Sequence, residues 1–589
     1  MHKRQLISLL AVLSVAGGLF GCGDGAETPP PISETPVAIE ETAVIDGRDV
    51  AAKNDAAVAM PDRFAAEAAS AVLAEGGNAV DAAVAASFVL AVTLPEAGNL
   101  GGGGFMTLVV DGEPNFIDFR ETAPASAVRD MYLDEKGEFV SRRAQVGALA
   151  SGVPGTVRGL QVAHEEYGQL SWARLVAPAI ALARDGFEVP PQLAQRIEYK
   201  AEFFGEETNF SDYFSAKAGE RLVQPELAAT LQRIADAGAD EFYTGETASM
   251  TVAQMRKIDG LITLQDLAEY KAVAREPAMA EWRGRTIVSA PPPSSGGIAL
   301  LQLLGMKSVL AEAFEGVTLN SRQYVHLVAE MEKRVFADRA EYLGDPDYYN
   351  VPVAELTSPD YIARRAAEVN IDAISETDGV VPGLQESFQT THFSILDFDG
   401  NAVAVTTTLN ASFGSGVVVE GAGYLLNNEM DDFSAKPGTP NLYGVVGGEA
   451  NAIAPRKRML SSMTPTVVMD GENVAMVVGT PGGPTIFTSV FQAIVNHFDY
   501  GLPVEEAVAK GRFHHQLLPK DNLLLEERIE NLDAVSGGLE EMGYVLRTYS
   551  QYGDVHAITV KDGVVAAAHD PRGRGASSVL AATKRKEVE

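Results

Sequence analysis

Cysteine is nearly absent from this chain. Cys22 is the only one in 589 residues, so no intramolecular disulfide can form. Basic residues are also scarce, with 46 Lys and Arg against 80 Asp and Glu, a formal charge of −34. A field that negative repels nucleic acid and anionic lipid surfaces, and it suits solubility. Beyond residue 20 no run is long and apolar enough for a transmembrane helix. There is no internal repeat. What is present reads as a soluble globular protein, 46% hydrophobic and 21% charged, with length for several ordinary domains or one large core. The 56 glycines point to many tight turns and short strands.

The first residues read as a targeting segment. His2-Lys3-Arg4 is a basic start, and Leu6 to Phe20 is an apolar run too short to span a membrane comfortably. It closes on Leu19-Phe20-Gly21-Cys22, which looks like a bacterial lipobox: small Gly21 fits, while Phe20 is bulkier than usual. Residues 1–21 are therefore expected to be a lipoprotein signal peptide. Cys22 is expected to be the lipidated N-terminus, anchored to the cell envelope and facing periplasm or exterior. The alternative is an ordinary secretory signal with an incidental cysteine. Residues 22–47 are rich in Pro, Glu, Thr and Ala and read as a flexible tether without a core.

From Pro61 the pattern turns helical and stops at Gly76-Gly77. Asn78 is a fair N-cap for a second helix, Ala79 to about Val92, apolar nearly all round and hence buried. Gly101 to Gly104 leads into a strand from Phe105 to Val110. Asp111-Gly112 supplies the turn and Asn115–Arg120 the return. These glycines are not a phosphate loop, because no Gly-Lys-Ser/Thr follows and the next element is a strand. Roughly Val157 to Tyr348 reads as mainly helical, interrupted by the rigid turn Pro291–Gly297. After Thr390 strands dominate. A hairpin is expected over Thr391–Phe398 and Asn401–Leu409 about Asp399-Gly400, with later strands near Thr466–Met469, Val474–Val478, Tyr544–Tyr549, Ala557–Val560 and Val564–Ala568. Helices are expected near Thr485–Phe498 and Val504–Lys510. The sum is an α+β arrangement with helices outside sheets.

Thr390 opens this second half after a polar loop. A threonine freed at its own amine is an activated nucleophile, because an α-amino group titrating near roughly 7.7–8 can take the hydroxyl proton. Four clusters bear on that chemistry. In Thr406-Thr407-Thr408-Leu409-Asn410, alternation puts Thr406 and Thr408 on one face, within reach of a Thr390 hydroxyl. The others are Asn427 to Ser434, Arg458 to Pro465, and Gly479-Thr480-Pro481-Gly482-Gly483, whose paired glycines free N–H groups to face an oxyanion. His514-His515 lacks a ligand-face spacing and reads as structural.

These segments resemble, in this order, the γ-glutamyltransferase (glutathione hydrolase) family of N-terminal-nucleophile enzymes. Leu100–Met106, Asp118-Phe119-Arg120-Glu121, Pro291–Gly297, Ala337-Asp338-Arg339, Tyr342–Pro346 and the run from Thr390 to Ser434 carry the resemblance, which covers roughly residues 48 to 575. It implies a four-layer αββα sandwich shared by two subunits of one precursor, residues 48–389 and 390–589, separated by self-cleavage between Gln389 and Thr390. It implies attack by Thr390 on the γ-carbonyl of a γ-glutamyl amide such as glutathione, with water or an amino acid or peptide as acceptor. In that reading Thr408 bonds the nucleophile and Gly482 and Gly483 form the oxyanion hole. Arg120, Ser461 and Ser462 take the glutamyl carboxylate, and Asn410, Glu429 and Asp432 take its ammonium. Tyr443, in a lid loop, closes over it. No metal, cofactor or nucleic acid is called for, and the membrane enters only through the lipid anchor. Met459 stands where the family more often has proline, and Pro484 where it has a small polar residue. Two alternatives stay open: a glutaryl or cephalosporin-type acylase on the same fold, which the lid loop disfavours, and a non-catalytic surface-binding lipoprotein.

Overall fold

The hairpin expected about Asp399-Gly400 forms, and it lies in the middle of the larger of two stacked sheets. The computed structural model describes residues 54–375, 390–436, 448–549 and 552–582. They fall in one compact unit that starts at Ala52. Cys22, Gln389 and Tyr443, with the signal and tether, lie outside the described residues.

The larger sheet has seven antiparallel strands in the order Ala576–Leu580, Ala56–Met60, Thr390–Leu396, Ala402–Thr408, Gly103–Val110, Glu113–Asp118 and Val273–Arg275. The second has six, in the order Val564–Ala568, His556–Lys561, Asn473–Gly479, Thr466–Asp470, Arg285–Ser289 and Ala278–Trp282. Period-two alternation divides each strand between two cores. Ala57, Ala59, Leu396, Ala402 and Ala404 meet Val288, Val467, Val477 and Ile558 between the sheets. The small alanines let the sheets stack closely. Val58, Phe393, Ile395, Val403 and Val405 face the other way, onto helices that include Arg63–Ala74 and Ala79–Thr93. On the far side Ile287, Val468, Met476 and Val478 pack on the helices Gly296–Val309, Arg322–Tyr342 and Thr485–Phe498. The result is helix, sheet, sheet, helix: the αββα sandwich.

Local chemistry explains the ends of these helices. Asp62 accepts the Phe64 N–H at 2.9 Å, and Asn78 with Asp81 forms a reciprocal capping box. All residues of the Ala79–Thr93 helix are buried, as an all-apolar helix requires. Among the described residues no helix is long and apolar enough to cross a membrane.

The middle region is mainly helical as expected, but Val273–Arg275, Ala278–Trp282 and Arg285–Ser289 are strands not foreseen from the sequence, one ending the larger sheet and two ending the second. The return strand of the first hairpin runs to Asp118, Phe119 still exchanges backbone hydrogen bonds with Gly104 at 3.0 and 3.3 Å, and Arg120 has left the pairing. That departure lets Arg120 turn into the interior, where its N–H bonds the Asp118 carboxylate at 2.9 Å.

Candidate active site

Thr390 begins its strand, half-buried, directly opposite Thr408. Alternation puts Thr390, His392 and Ser394 on the face between the sheets, where Ser394 donates to the carbonyl of His556 at 3.0 Å. Thr408 Oγ1 accepts the Asn410 N–H at 2.7 Å. Asn410 has a left-handed φ of 72°, and its Nδ2 donates to Asn428 O at 2.9 Å. The glycine run packs beside this strand: a Cβ on Gly102 would sit 2.0 Å from Thr408 O, and one on Gly104 2.4 Å from Thr406 O. Those glycines serve close strand approach.

Thr390 and Thr408 open onto a small pocket, which Arg120, Asn410, Glu429, Asp432, Ser461, Ser462 and Gly483 also line. Arg120 is fully buried. Its guanidinium bonds Glu429, bonds Asp432 at 2.5 Å, and donates to the carbonyls of Met459 and Leu460 at 3.3 and 3.2 Å. Burial alone would lower its pKa, but the Glu429, Asp432 and Glu121 carboxylates raise it overall. Burial pushes Glu429 well up, and raises Asp432 too, against the pull of Arg120. Glu121 lies 3.6 Å from Arg120 and neither of its buried oxygens has a hydrogen bond. Burial lifts it to about 8, partly opposed by Arg120. Arg120, expected to take a carboxylate, and Glu429 and Asp432, expected to take an ammonium, thus meet in one ion-paired cluster.

Ser461 and Ser462 are held by the Pro291–Gly297 turn. The Ser461 N–H donates to Pro293 O at 2.9 Å, and Ser461 O accepts Ser295 Oγ at 2.7 Å. Ser294 Oγ donates to Met463 O at 2.6 Å. On another wall Gly482 and Gly483 have φ of 139° and 53°. They precede the helix Thr485–Phe498, whose positive end favours developing negative charge nearby. Gly483 lines the pocket, whereas Gly482 lines a second, wider cleft that shares Thr390 with it.

The γ-glutamyltranspeptidase family profile matches residues 65–580. The chain belongs to the γ-glutamyltranspeptidase family. It is 57% identical over 89% of its length, and 94% of the relative's, to the glutathione hydrolase proenzyme of Pseudomonas aeruginosa. It is 44% identical to that of Escherichia coli, covering 97% of this chain and 98% of the relative. Among solved structures, γ-glutamyltranspeptidase from Pseudomonas nitroreducens is 56% identical, with a TM-score of 0.54, over 57% of this chain and 98% of its own. A cephalosporin acylase from Bacillus halodurans has a TM-score of 0.78 at 25% identity, covering 92% and 99%. The fold is that of the N-terminal-nucleophile hydrolases, and the chain is an enzyme.

Within this family frame the structure adds Arg339, whose motif was visible but whose place was not. Arg339 lines the pocket, donating from Nε to Ser295 Oγ at 3.0 Å and from Nη2 to Ser462 Oγ at 3.3 Å. Burial lowers it to about 10, and Asp432 partly offsets this. Met459 contributes its carbonyl to Arg120, while Pro484 lines the pocket beside Gly483. His514 lies apart from the pocket lining, buried and bonded to Thr488 Oγ1 at 3.0 Å. Among the described residues no cluster of His, Cys, Asp and Glu is arranged for a metal.

Proposed function

We propose that this chain is a proenzyme that cuts itself between Gln389 and Thr390 into a large subunit, residues 48–389 with the tether still joined to it, and a small subunit, residues 390–589, then cleaves γ-glutamyl amides, glutathione among them. The freed Thr390 amine takes the Oγ1 proton as Oγ1 attacks the γ-carbonyl. The N–H groups of Gly482 and Gly483 receive the oxyanion. The C–N bond breaks, the amine leaves with the proton, and a γ-glutamyl ester remains on Thr390. Water or an amine acceptor then releases it by the reverse proton path. Thr408 orients the hydroxyl. No step calls on a metal or organic cofactor. Tyr443 would close the pocket. The proenzyme names of the relatives support the self-cleavage.

The observation that carries this reading is the Arg120–Glu429–Asp432 cluster facing Thr390. A group that enters must replace both halves of a buried ion pair. An α-amino acid head does so, with its carboxylate to Arg120, Ser461 and Ser462 and its ammonium to Asn410, Glu429 and Asp432. A glutaryl group brings only the carboxylate: it competes with Glu429 and Asp432 for Arg120 and supplies no ammonium to offset that, which is unfavourable in a buried site. This argues against the acylase alternative. The test compares release of p-nitroaniline from γ-glutamyl- and glutaryl-p-nitroanilide. A kcat/KM at least about a hundredfold higher for the γ-glutamyl compound is expected, and equal values would contradict the reading.

We also infer that residues 1–21 are removed on export and that Cys22 carries the lipid anchor, on the lipobox-like Leu19–Cys22. Incorporation of labelled palmitate that Cys22→Ser abolishes is expected, and label retained in that variant would overturn the anchor.

A further inference from the structure

We propose that Tyr270 is a positioning residue for donor recognition: by holding the Arg120 carbonyl it aims the guanidinium at the α-carboxylate of the γ-glutamyl group, and it thereby sets the preference for donors that carry that carboxylate. This rests on the reading of Arg120 as the carboxylate ligand. It goes beyond that reading because Tyr270 lies outside the pocket lining and acts through Arg120 alone.

The Arg120 guanidinium bonds Glu429, Asp432 and the carbonyls of Met459 and Leu460. A donor carboxylate must take over part of that set, so the side chain changes partners in every turnover while its position has to persist. The backbone supplies the persistence. Phe119 makes the last exchange with Gly104, and Arg120 stands just past that ladder. There its peptide groups take their bonds from side chains. The N–H donates to Asp118 Oδ1 at 2.9 Å, and the carbonyl accepts the Tyr270 hydroxyl at 2.8 Å. Both backbone poles of Arg120 are therefore pinned.

Tyr270 is itself fixed for that bond. It ends the helix Leu264–Glu269, and its ring is buried and stacks on Tyr243 with centroids 5.8 Å apart and planes 9° from parallel. Gly155 makes room for the hydroxyl, since a Cβ there would lie 2.2 Å from it and 2.0 Å from Phe119 O. Burial holds the phenol well above its ordinary pKa, so it stays a donor. The neighbouring Lys271 carbonyl accepts Arg458 Nη2 at 2.7 Å, and Arg458 Nε lies 3.3 Å from the Asp118 carboxylate. A closed polar ring thus runs from Arg120 through Asp118, Arg458 and Tyr270 back to Arg120. Arg458 also leads directly into Met459 to Ser462. The ring therefore joins the segments that carry Arg120, Ser461 and Ser462, and Tyr270 closes it on Arg120.

The test compares two donors on the processed enzyme: γ-glutamyl-p-nitroanilide, and 4-aminobutanoyl-p-nitroanilide, the same acyl group without its α-carboxylate. The wild type should prefer the first by at least about a hundredfold in kcat/KM. Tyr270→Phe keeps the ring and its stacking and removes the hydroxyl. The γ-glutamyl KM is expected to rise about tenfold with kcat nearly unchanged, while kcat/KM for the second donor holds, so the preference shrinks about tenfold. Tyr243→Phe is the control. It loses the bonds its buried hydroxyl makes to Arg158 N and Pro154 O, at 3.0 and 3.2 Å, but leaves the Tyr270 hydroxyl in place, so the preference should stay. An unchanged Tyr270→Phe enzyme, equal losses on both donors, or an equal fall in preference in Tyr243→Phe would make Tyr270 a support of the fold only and overturn the proposal. A wild type that cleaves both donors equally would remove the Arg120 reading with it, and one that releases no nitroaniline would remove the Thr390 reading beneath both.

Discussion

Thr390 and Thr408 are directly opposed across an antiparallel hairpin, and the Thr408 hydroxyl already holds the Asn410 N–H at 2.7 Å. One short strand pair therefore places together Thr390, Thr408 and Asn410, the residues proposed as nucleophile, its orienting partner and a ligand of the ammonium.

Replacing Thr408 by Val keeps the shape and removes the hydroxyl. The buried Asn410 N–H loses its acceptor, at a cost of about 1–3 kcal/mol. Thermal unfolding should report that loss. The kcat/KM for γ-glutamyl-p-nitroanilide should fall at least about tenfold, and Thr408→Ser should recover most of it. An unaffected Thr408→Val enzyme would remove Thr408 from the mechanism.

Arg120→Gln strips the cation from Glu429 and Asp432. Breaking a buried pair from one side costs about 3–5 kcal/mol. A lower melting temperature and a raised donor KM are expected together. Arg120→Lys should rescue poorly, because one ammonium cannot span both carboxylates as the planar guanidinium does. Full rescue by lysine would contradict the geometry.

Glu121 gives a pH signature. Its folded pKa is raised from 4.5 to about 8. Between those values the folded protein holds a proton that the unfolded chain has released, so stability declines as pH rises through this window. Glu121→Gln cannot ionise, so its melting temperature relative to wild type should climb from pH 5 to pH 8. A constant difference would show that Glu121 is charged throughout.

Gly482→Ala places a Cβ 2.5 Å from Thr485 Oγ1 at a φ of 139°. The N–H groups proposed to hold the oxyanion would shift, and loss of one such donor costs about 10²–10³ in kcat. Steady-state kinetics would show the fall in kcat; an unchanged kcat would relocate the oxyanion hole.

Much of the centre was legible in the sequence because its signals are local. Asp399-Gly400 marks the hairpin, Gly482-Gly483 marks the helix start, and the helix Thr485–Phe498 matches its apolar pattern. The missed strands lack such signals. Ala56–Met60 is alanine-rich, and its neighbours Ala576–Leu580 and Thr390–Leu396 lie hundreds of residues away. Ala278–Trp282 and Arg285–Ser289 join through Arg283-Gly284, both at positive φ, where the usual Asn-Gly or Asp-Gly signal is missing. Arg339 belongs to a helix whose meeting with Ser462 is set by packing, which no spacing in the chain encodes. The Arg120–Glu429–Asp432 pairing was hidden in the same way: the sequence offered three ligands for a substrate, and the fold makes them ligands for one another.

The central claim is that Thr390 becomes an N-terminal residue. Intact-mass spectrometry of purified wild type beside Thr390→Ala tests it most directly. The wild type should yield a fragment of roughly 21 kDa, by its share of the 62.4 kDa chain, whose sequence begins at Thr390, with the large subunit as its partner. The variant should remain one chain. An active wild type that stays full-length would contradict the account, because its Thr390 would have no free amine to take the proton.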